Sequence, residues 1–204
     1  MKFFERNRET LRERGIDPDR LPPGQYFTER FPVLDIGDCP GEVDPSSWSL
    51  RLFGAVTEER TLSWSELLAM PSTTITTDLH CVTKWSKFDT AWRGVKFTDL
   101  VALVDVDPAA AYVLEHARGG YTTNVPLADC LSEECLVAYE YEGEAITAEH
   151  GGPLRLVLPA LYLWKSAKWL EGIEFRASEQ LGFWERNGYH AYGDPWREQR
   201  YSGR

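Results

Sequence analysis

The chain has 204 residues, 43% of them hydrophobic, and a formal net charge of -10. That is enough apolar material for one sizeable core, and the acidic balance, with a pI near 4.9, excludes a surface built to neutralise nucleic-acid phosphates. No apolar run approaches the ~20 residues that span a bilayer. The opening MKFFERNRE lacks the apolar stretch of a secretory signal, so the sequence predicts a cytoplasmic protein.

At the N-terminus, ERNRETLRER interrupts its bases with acids, the pattern of a solvated helical lead-in. Residues 1–30 are expected to form this lead-in, ahead of a single domain over 31–204. The proline- and glycine-rich stretch from Leu21 to Pro45 predicts an arm lying across that domain, because Tyr26, Phe27, Phe31, Val33, Leu34 and Ile36 need a surface to pack on. Trp48 to Val56 alternates as a strand does. Ser63-x-x-Glu66 is a capping box for a short helix ending before Pro71.

Ile75, Leu79 and Cys81 then fall on one face, and Thr76, Asp78 and His80 on the other. This is a half-buried strand, and it runs out into Thr83, Lys84, Trp85 and Ser86. Phe97 to Val104 predicts a second short helix, and Leu127 to Leu131 a helical turn. Tyr112–Glu115, Leu136–Tyr141, Leu154–Leu158 and Gly172–Arg176 predict strands, with Glu142-Gly143-Glu144 turning a hairpin. The final GFWERNGYHAYGDPWREQRY is dense in aromatics and charges but has no period. Many short strands and few short helices indicate an α+β fold with mixed, mainly antiparallel sheets.

Dinucleotide, phosphate-loop, zinc-protease and serine-hydrolase motifs are all absent from the sequence. Cys130 and Cys135 are spaced too loosely for a zinc knuckle, and four cysteines in a chain of this length make a weak disulfide framework. Reduced structural thiols are expected. Cys81, at a strand end beside His80 and ahead of Lys84 and Trp85, has three readings by residue type: packing, a nucleophile or a metal ligand.

Three glycine-containing loops, Arg118–Asn124 and His150–Pro153 among them, offer backbone N–H groups to a ligand. Arg155, in an apolar strand, needs an anion, either an internal carboxylate or a ligand. Lys165 and Lys168, around Ser166, add cations. A soft thiolate combined with a cradle for a polyanion suits a redox metal carried on a phosphorylated organic cofactor.

Four segments in order, HCVTKWS around Cys81, GGYTTNVPL, HGGPLRLVLP and KSAKWLEGIEF, resemble the molybdopterin-dependent oxidoreductases of the sulfite oxidase superfamily. The resemblance covers roughly Phe31 to Arg200. It implies the sulfite oxidase-type molybdopterin-binding fold, with molybdopterin and molybdenum as cofactors and Cys81 as the protein's thiolate ligand to the metal. It further implies that His150 and Arg155 bind the pterin and its phosphate, and that Ser166, Ala167 and Lys168 close over the cofactor. Tyr121 becomes the active-site tyrosine, His116 a further cofactor contact, and the Phe31 arm a cover for the pterin.

Where sulfite oxidases carry an arginine pair after the metal cysteine, Trp85 and Ser86 stand here, closer to the bacterial methionine sulfoxide reductase branch. The expectation is a two-electron oxygen-atom transfer to or from a small sulfur or nitrogen oxide, served by a separate electron-transfer protein. Two rivals are a non-catalytic molybdopterin-binding or interaction module and a metal-free thiol enzyme using Cys81 with His80 or His150 as base. Strand alternation counts against the second, since it turns His80 away from the Cys81 side chain.

Overall fold

The computed structural model describes residues 3–36 and 39–203; positions 37 and 38 of the proline-rich arm lie outside the described residues. The N-terminal helix α1 (Phe3–Glu13) buries only Leu11, and a two-residue strand β1 (Tyr26–Phe27) follows. Leu11 and Leu21 cluster with Phe88, Ile16 and Phe27, which fastens the segment from Leu11 to Phe27 to the body. Next come β2 (Ser49–Gly54), β3 (Arg60–Ser63) and α2 (Trp64–Ala69). The capping box at α2 forms as expected, with Ser63 and Glu66 exchanging side-chain to backbone bonds.

The central hairpin is β4 (Thr73–His80) and β5 (Trp85–Lys96). After it come α3 (Phe97–Val101), β6 (Tyr112–Ala117), β7 (Thr122–Pro126) and α4 (Leu127–Cys130). Strands β8 (Leu136–Tyr141), β9 (Glu144–Ala145), β10 (Arg155–Val157) and β11 (Leu170–Arg176) precede a one-turn helix, α5 (Phe183–Arg186). The second helix is shorter than its apolar pattern suggested. Leu103 and Val104 instead close tight turns onto Leu100 and Val101.

Two mixed sheets result. In the first, β5 carries β4 along one edge, and β1 and β8 at opposite ends of the other; β10 and β9 join on β8. The second runs β3-β2-β11-β6-β7. Among the described strands only β1–β5 and β2–β11 are parallel. The main core, with Trp48, Phe97, Val137, Leu156 and Phe175, draws on both sheets, and a second cluster gathers Cys81, Trp85, Trp92 and Val157.

Strand β5 spans 12 residues, and the sequence pattern hid it. Its buried face reads Ser86, Phe88, Thr90, Trp92, Gly94, so two hydroxyls and a glycine sit at core positions. Both hydroxyls are satisfied there, Ser86 Oγ by His80 Nδ1 at 2.8 Å and Thr90 Oγ1 by donating to Thr77 O at 2.7 Å. Gly94 lies where the β5–β8 register shifts, and a Cβ there would approach Val137 O to 2.2 Å. Cys130 and Cys135 are free thiols with no exposure, inside the main core; Cys39 is exposed.

Candidate functional site

A four-residue connection, Cys81-Val82-Thr83-Lys84, joins β4 to β5. Cys81 N–H donates to Trp85 O and Lys84 N–H to Cys81 O, each at 2.9 Å. Lys84 takes φ +79°, the left-handed residue that closes such loops. The turn points Cys81 into a cavity of about 550 Å3. His80, one residue back, lines a separate depression with Arg20, Asp78 and Trp196, as strand alternation requires.

The Cys81 thiol is 7% exposed. Burial pushes its pKa up, against the Thr83 hydroxyl, which donates to Sγ at 3.2 Å, and the nearby Arg200 charge. A thiol held in its protonated form is a poor unaided nucleophile, and His80, one of its two candidate bases, faces a separate depression; both count against a metal-free thiol mechanism.

The cavity wall combines aromatic and cationic parts. Trp85, Trp164, Trp184 and Tyr189 line it together with Arg118, Arg155 and Lys168, and Asp35 is the one carboxylate on that wall among the described residues. Tyr189 stacks on Trp184 (centroids 4.7 Å apart, 14°) and meets Trp164 edge-on at 5.0 Å. Burial raises the Tyr189 pKa, with smaller contributions from Tyr201 and Cys81, and the residue lines the same cavity as Cys81. The Tyr189 hydroxyl has no hydrogen-bond partner among the described residues.

Arg155 is 1% exposed, and its guanidinium donates to His150 O (2.7 Å), Ser166 O (3.2 Å) and Leu156 O (3.3 Å). No carboxylate among the described residues forms an ion pair with it, and burial brings its pKa down to about 10. Lys168 Nζ pairs with Asp35 at 2.5 Å and donates to Glu149 O at 2.6 Å. Burial depresses its pKa, Asp35 opposing and Arg155 adding to the effect. Gly151 takes φ +100°, and a Cβ there would lie 2.8 Å from Lys168 Cβ; only glycine lets the two segments meet this closely.

Of the residues singled out in the sequence, Phe31, Cys81, Tyr121, Arg155, Ser166 and Lys168 line this one cavity. His150 stands just behind the wall, stacked on Phe31 with centroids 4.1 Å apart at 7°. Ala167 and His116 are not on the wall. The Ala167 N–H donates to the buried carboxylate of Glu115 at 2.8 Å, and His116 pairs with Glu174 at 2.8 Å, beside Phe53. The Ser166 N–H is likewise spent inside the protein, on Leu163 O.

Tyr121 lines the cavity, but its hydroxyl donates to Trp164 O at 2.6 Å. Burial, then the Glu185 and Glu115 charges, hold its pKa well above the ordinary value. Sequence reasoning missed Tyr189, Trp184 and Arg200, all in the C-terminal stretch without a period, as well as Gln25 and Arg118. Behind Trp164 lies a fully buried ion pair, Lys165 with Glu185 at 2.6 Å, so Lys165 is a core cation and not a cavity one.

Residues 36–184 match the family model for the oxidoreductase molybdopterin binding domain. The chain is 49% identical over 183 residues to the uncharacterized oxidoreductase YuiH of Bacillus subtilis, covering 90% of this chain and 92% of YuiH. It is 30% identical to YedZ1 of Azospira oryzae, whose name proposes it as a protein-methionine-sulfoxide reductase subunit; 87% of this chain and 70% of YedZ1 align. Sulfite oxidase of Arabidopsis thaliana is 27% identical, over 72% of this chain and 46% of that enzyme. The sulfane dehydrogenase SoxCD of Paracoccus pantotrophus superposes with a TM-score of 0.63 at 20% identity, over 72% of this chain and 42% of that one. The chain therefore belongs to the molybdopterin-binding oxidoreductases, with the fold that sulfite oxidases share.

Proposed function

We propose that this molybdopterin oxidoreductase moves an oxygen atom to or from a small, uncharged sulfur or nitrogen oxide in a two-electron step, exchanging electrons with a separate carrier protein. One observation carries this reading: the Cys81 thiol opens into the same cavity as Arg155 and Lys168, so one ligand can take a thiolate at one end and anion-binding groups at the other.

The residues present fit the cofactor. Arg155 is a buried cation without a carboxylate, and Trp85 Nε1 and His150 Nδ1, on or just behind the wall, are buried with no partner. Such groups call for a polar ligand. When bound, the molybdenum cofactor supplies the two-electron redox change coupled to oxygen transfer. The chain would do the rest: Arg155 and Lys168 would neutralise phosphate charge, Phe31, backed by the stacked His150 ring, would pack against the pterin, and the Cys81 thiolate would ligate the metal.

Tyr189, instead of Tyr121, is the phenol free to donate a hydrogen bond to the reacting oxygen, the kind of placed donor that stabilises developing charge. Reduction of a sulfoxide in this way consumes two electrons and two protons and releases a sulfide and water.

The uncharged substrate follows from the wall beside the thiol. Val82, Trp85, Leu163 and Trp184 line the cavity, whereas Lys84 and Lys87 do not; Lys87 donates instead to Glu29 O. An apolar aromatic wall favours a thioether-like oxide over a dianion, in keeping with the name of the Azospira relative. The test is a dye-coupled assay of the matured protein with sulfoxides, N-oxides and sulfite. A neutral oxide should turn over faster than sulfite, and Cys81→Ser should abolish turnover; faster sulfite turnover, or an active Cys81→Ser variant, contradicts the reading.

A further inference from the structure

Two residues outside the family-matched segment hold the Cys81 loop from opposite ends of the chain. Gln25 Nε2 donates to Cys81 O at 3.0 Å, and Arg200 Nη1 donates to Val82 O at 2.8 Å. They also meet each other, Arg200 Nη2 donating to Gln25 Oε1 at 3.4 Å and to Pro23 O at 3.3 Å. Gly24, at φ +69°, allows this approach, since a Cβ there would stand 3.2 Å from Arg200 Nη2.

The Arg200 guanidinium is buried at 7% exposure and lies 4.9 Å over the Tyr162 ring. Its one carboxylate contact among the described residues is Glu198, 3.9 Å away and half exposed. A buried arginine so weakly neutralised is costly unless another anion faces it. The carbonyl it holds belongs to Val82, the residue that follows Cys81, so a fixed positive charge sits on the loop that carries the thiol.

We infer that Gln25 and Arg200 are positioning residues for the metal thiolate: together they fix the Cys81 loop, and the Arg200 charge raises the reduction potential of the bound metal. This rests on the assignment of Cys81 as metal ligand. A fixed cation beside a metal–thiolate unit favours its more reduced, more negative state, and partners that orient a ligand govern how tightly the metal is held. Arg200 has two separable functions here, charge and hydrogen bonding; Gln25 has only the second.

The experiment uses the full, matured holoenzyme. Molybdenum retention after buffer exchange is read by mass spectrometry, and the midpoint potential of the bound metal by a redox titration followed by EPR. Arg200→Gln should lower the midpoint and release molybdenum roughly 10-fold faster. Arg200→Lys should keep the midpoint and still release faster, because it retains charge without the fork. Gln25→Ala, which touches no charge, should speed release with the midpoint unchanged. If wild type retains molybdenum while all three variants match it in midpoint and release, with only melting temperature lowered, the inference is overturned and Cys81 ligation stands. If wild type itself binds no molybdenum, the underlying assignment falls first.

Discussion

The Tyr121 hydroxyl donates to Trp164 O, whereas that of Tyr189 has no partner among the described residues, and Tyr189 lines the same cavity as Cys81. The two phenols should therefore respond differently to removal of one oxygen atom. Tyr189→Phe should lower kcat roughly 100-fold, the cost of losing one donor to a developing oxyanion, with little change in melting temperature. Tyr121→Phe should cost about 1 kcal/mol of stability and leave kcat within a few-fold; steady-state kinetics and thermal melts on both variants check this.

Arg155 was legible in the sequence as a charge in an apolar strand, and the absence of a paired carboxylate among the described residues favours a ligand as its anion over an internal partner. Arg155→Met should release the cofactor roughly 10- to 100-fold faster, in line with a lost charged hydrogen-bonding group; unchanged release of pterin would mean that its three carbonyl partners are its whole role. Cys81 and Lys168 were legible because they sit in ordered, locally patterned segments. Tyr189 was not, because its segment has no period and only the stacking on Trp184 and Trp164 brings it to the cavity.

At the level of elements, apolar alternation and capping chemistry sufficed for β8, β10, β11 and α2. They failed for β5, whose core face includes Ser86, Thr90 and Gly94: hydroxyls bonded in the interior look like loop residues to a hydrophobicity pattern. Within β5, Trp92 is fully buried with its Nε1–H donating to Thr90 Oγ1 at 3.0 Å, beside the Phe31 and Tyr141 rings. Trp92→Ala should cost about 3–5 kcal/mol in denaturant unfolding. Gly94→Ala should cost about 1–3 kcal/mol, the usual penalty of overpacking, because its Cβ has no room beside Val137 O.

Across the whole molecule, both chain ends converge on the central hairpin, through β1 on β5, Gln25 on Cys81 O and Arg200 on Val82 O. No helix of the described residues is long and apolar enough to cross a membrane. Between the sheets lies Glu115, with no exposure; its Oε2 accepts the Ala167 N–H and its Oε1 has no partner. Burial raises its pKa well above the usual 4.5, so the folded state binds a proton that the unfolded state has lost. Stability from this group is present below pH 4.5 and falls as pH rises above it. Glu115→Gln should consequently melt higher than wild type at pH 7–8, the gap closing towards pH 4.5; an equal or lower melting temperature at pH 8 would mean that the carboxylate is ionised and stabilised by Lys165 and Arg155.

The most direct test of the account is the molybdenum and pterin content of the matured protein, wild type against Cys81→Ser. Wild type should carry about one molybdenum per chain and release a fluorescent pterin on denaturation, whereas Cys81→Ser loses metal on dialysis. A folded, matured protein with neither metal nor pterin, or a Cys81→Ser variant that holds molybdenum as firmly as wild type, would contradict the claim that this sulfur binds the metal.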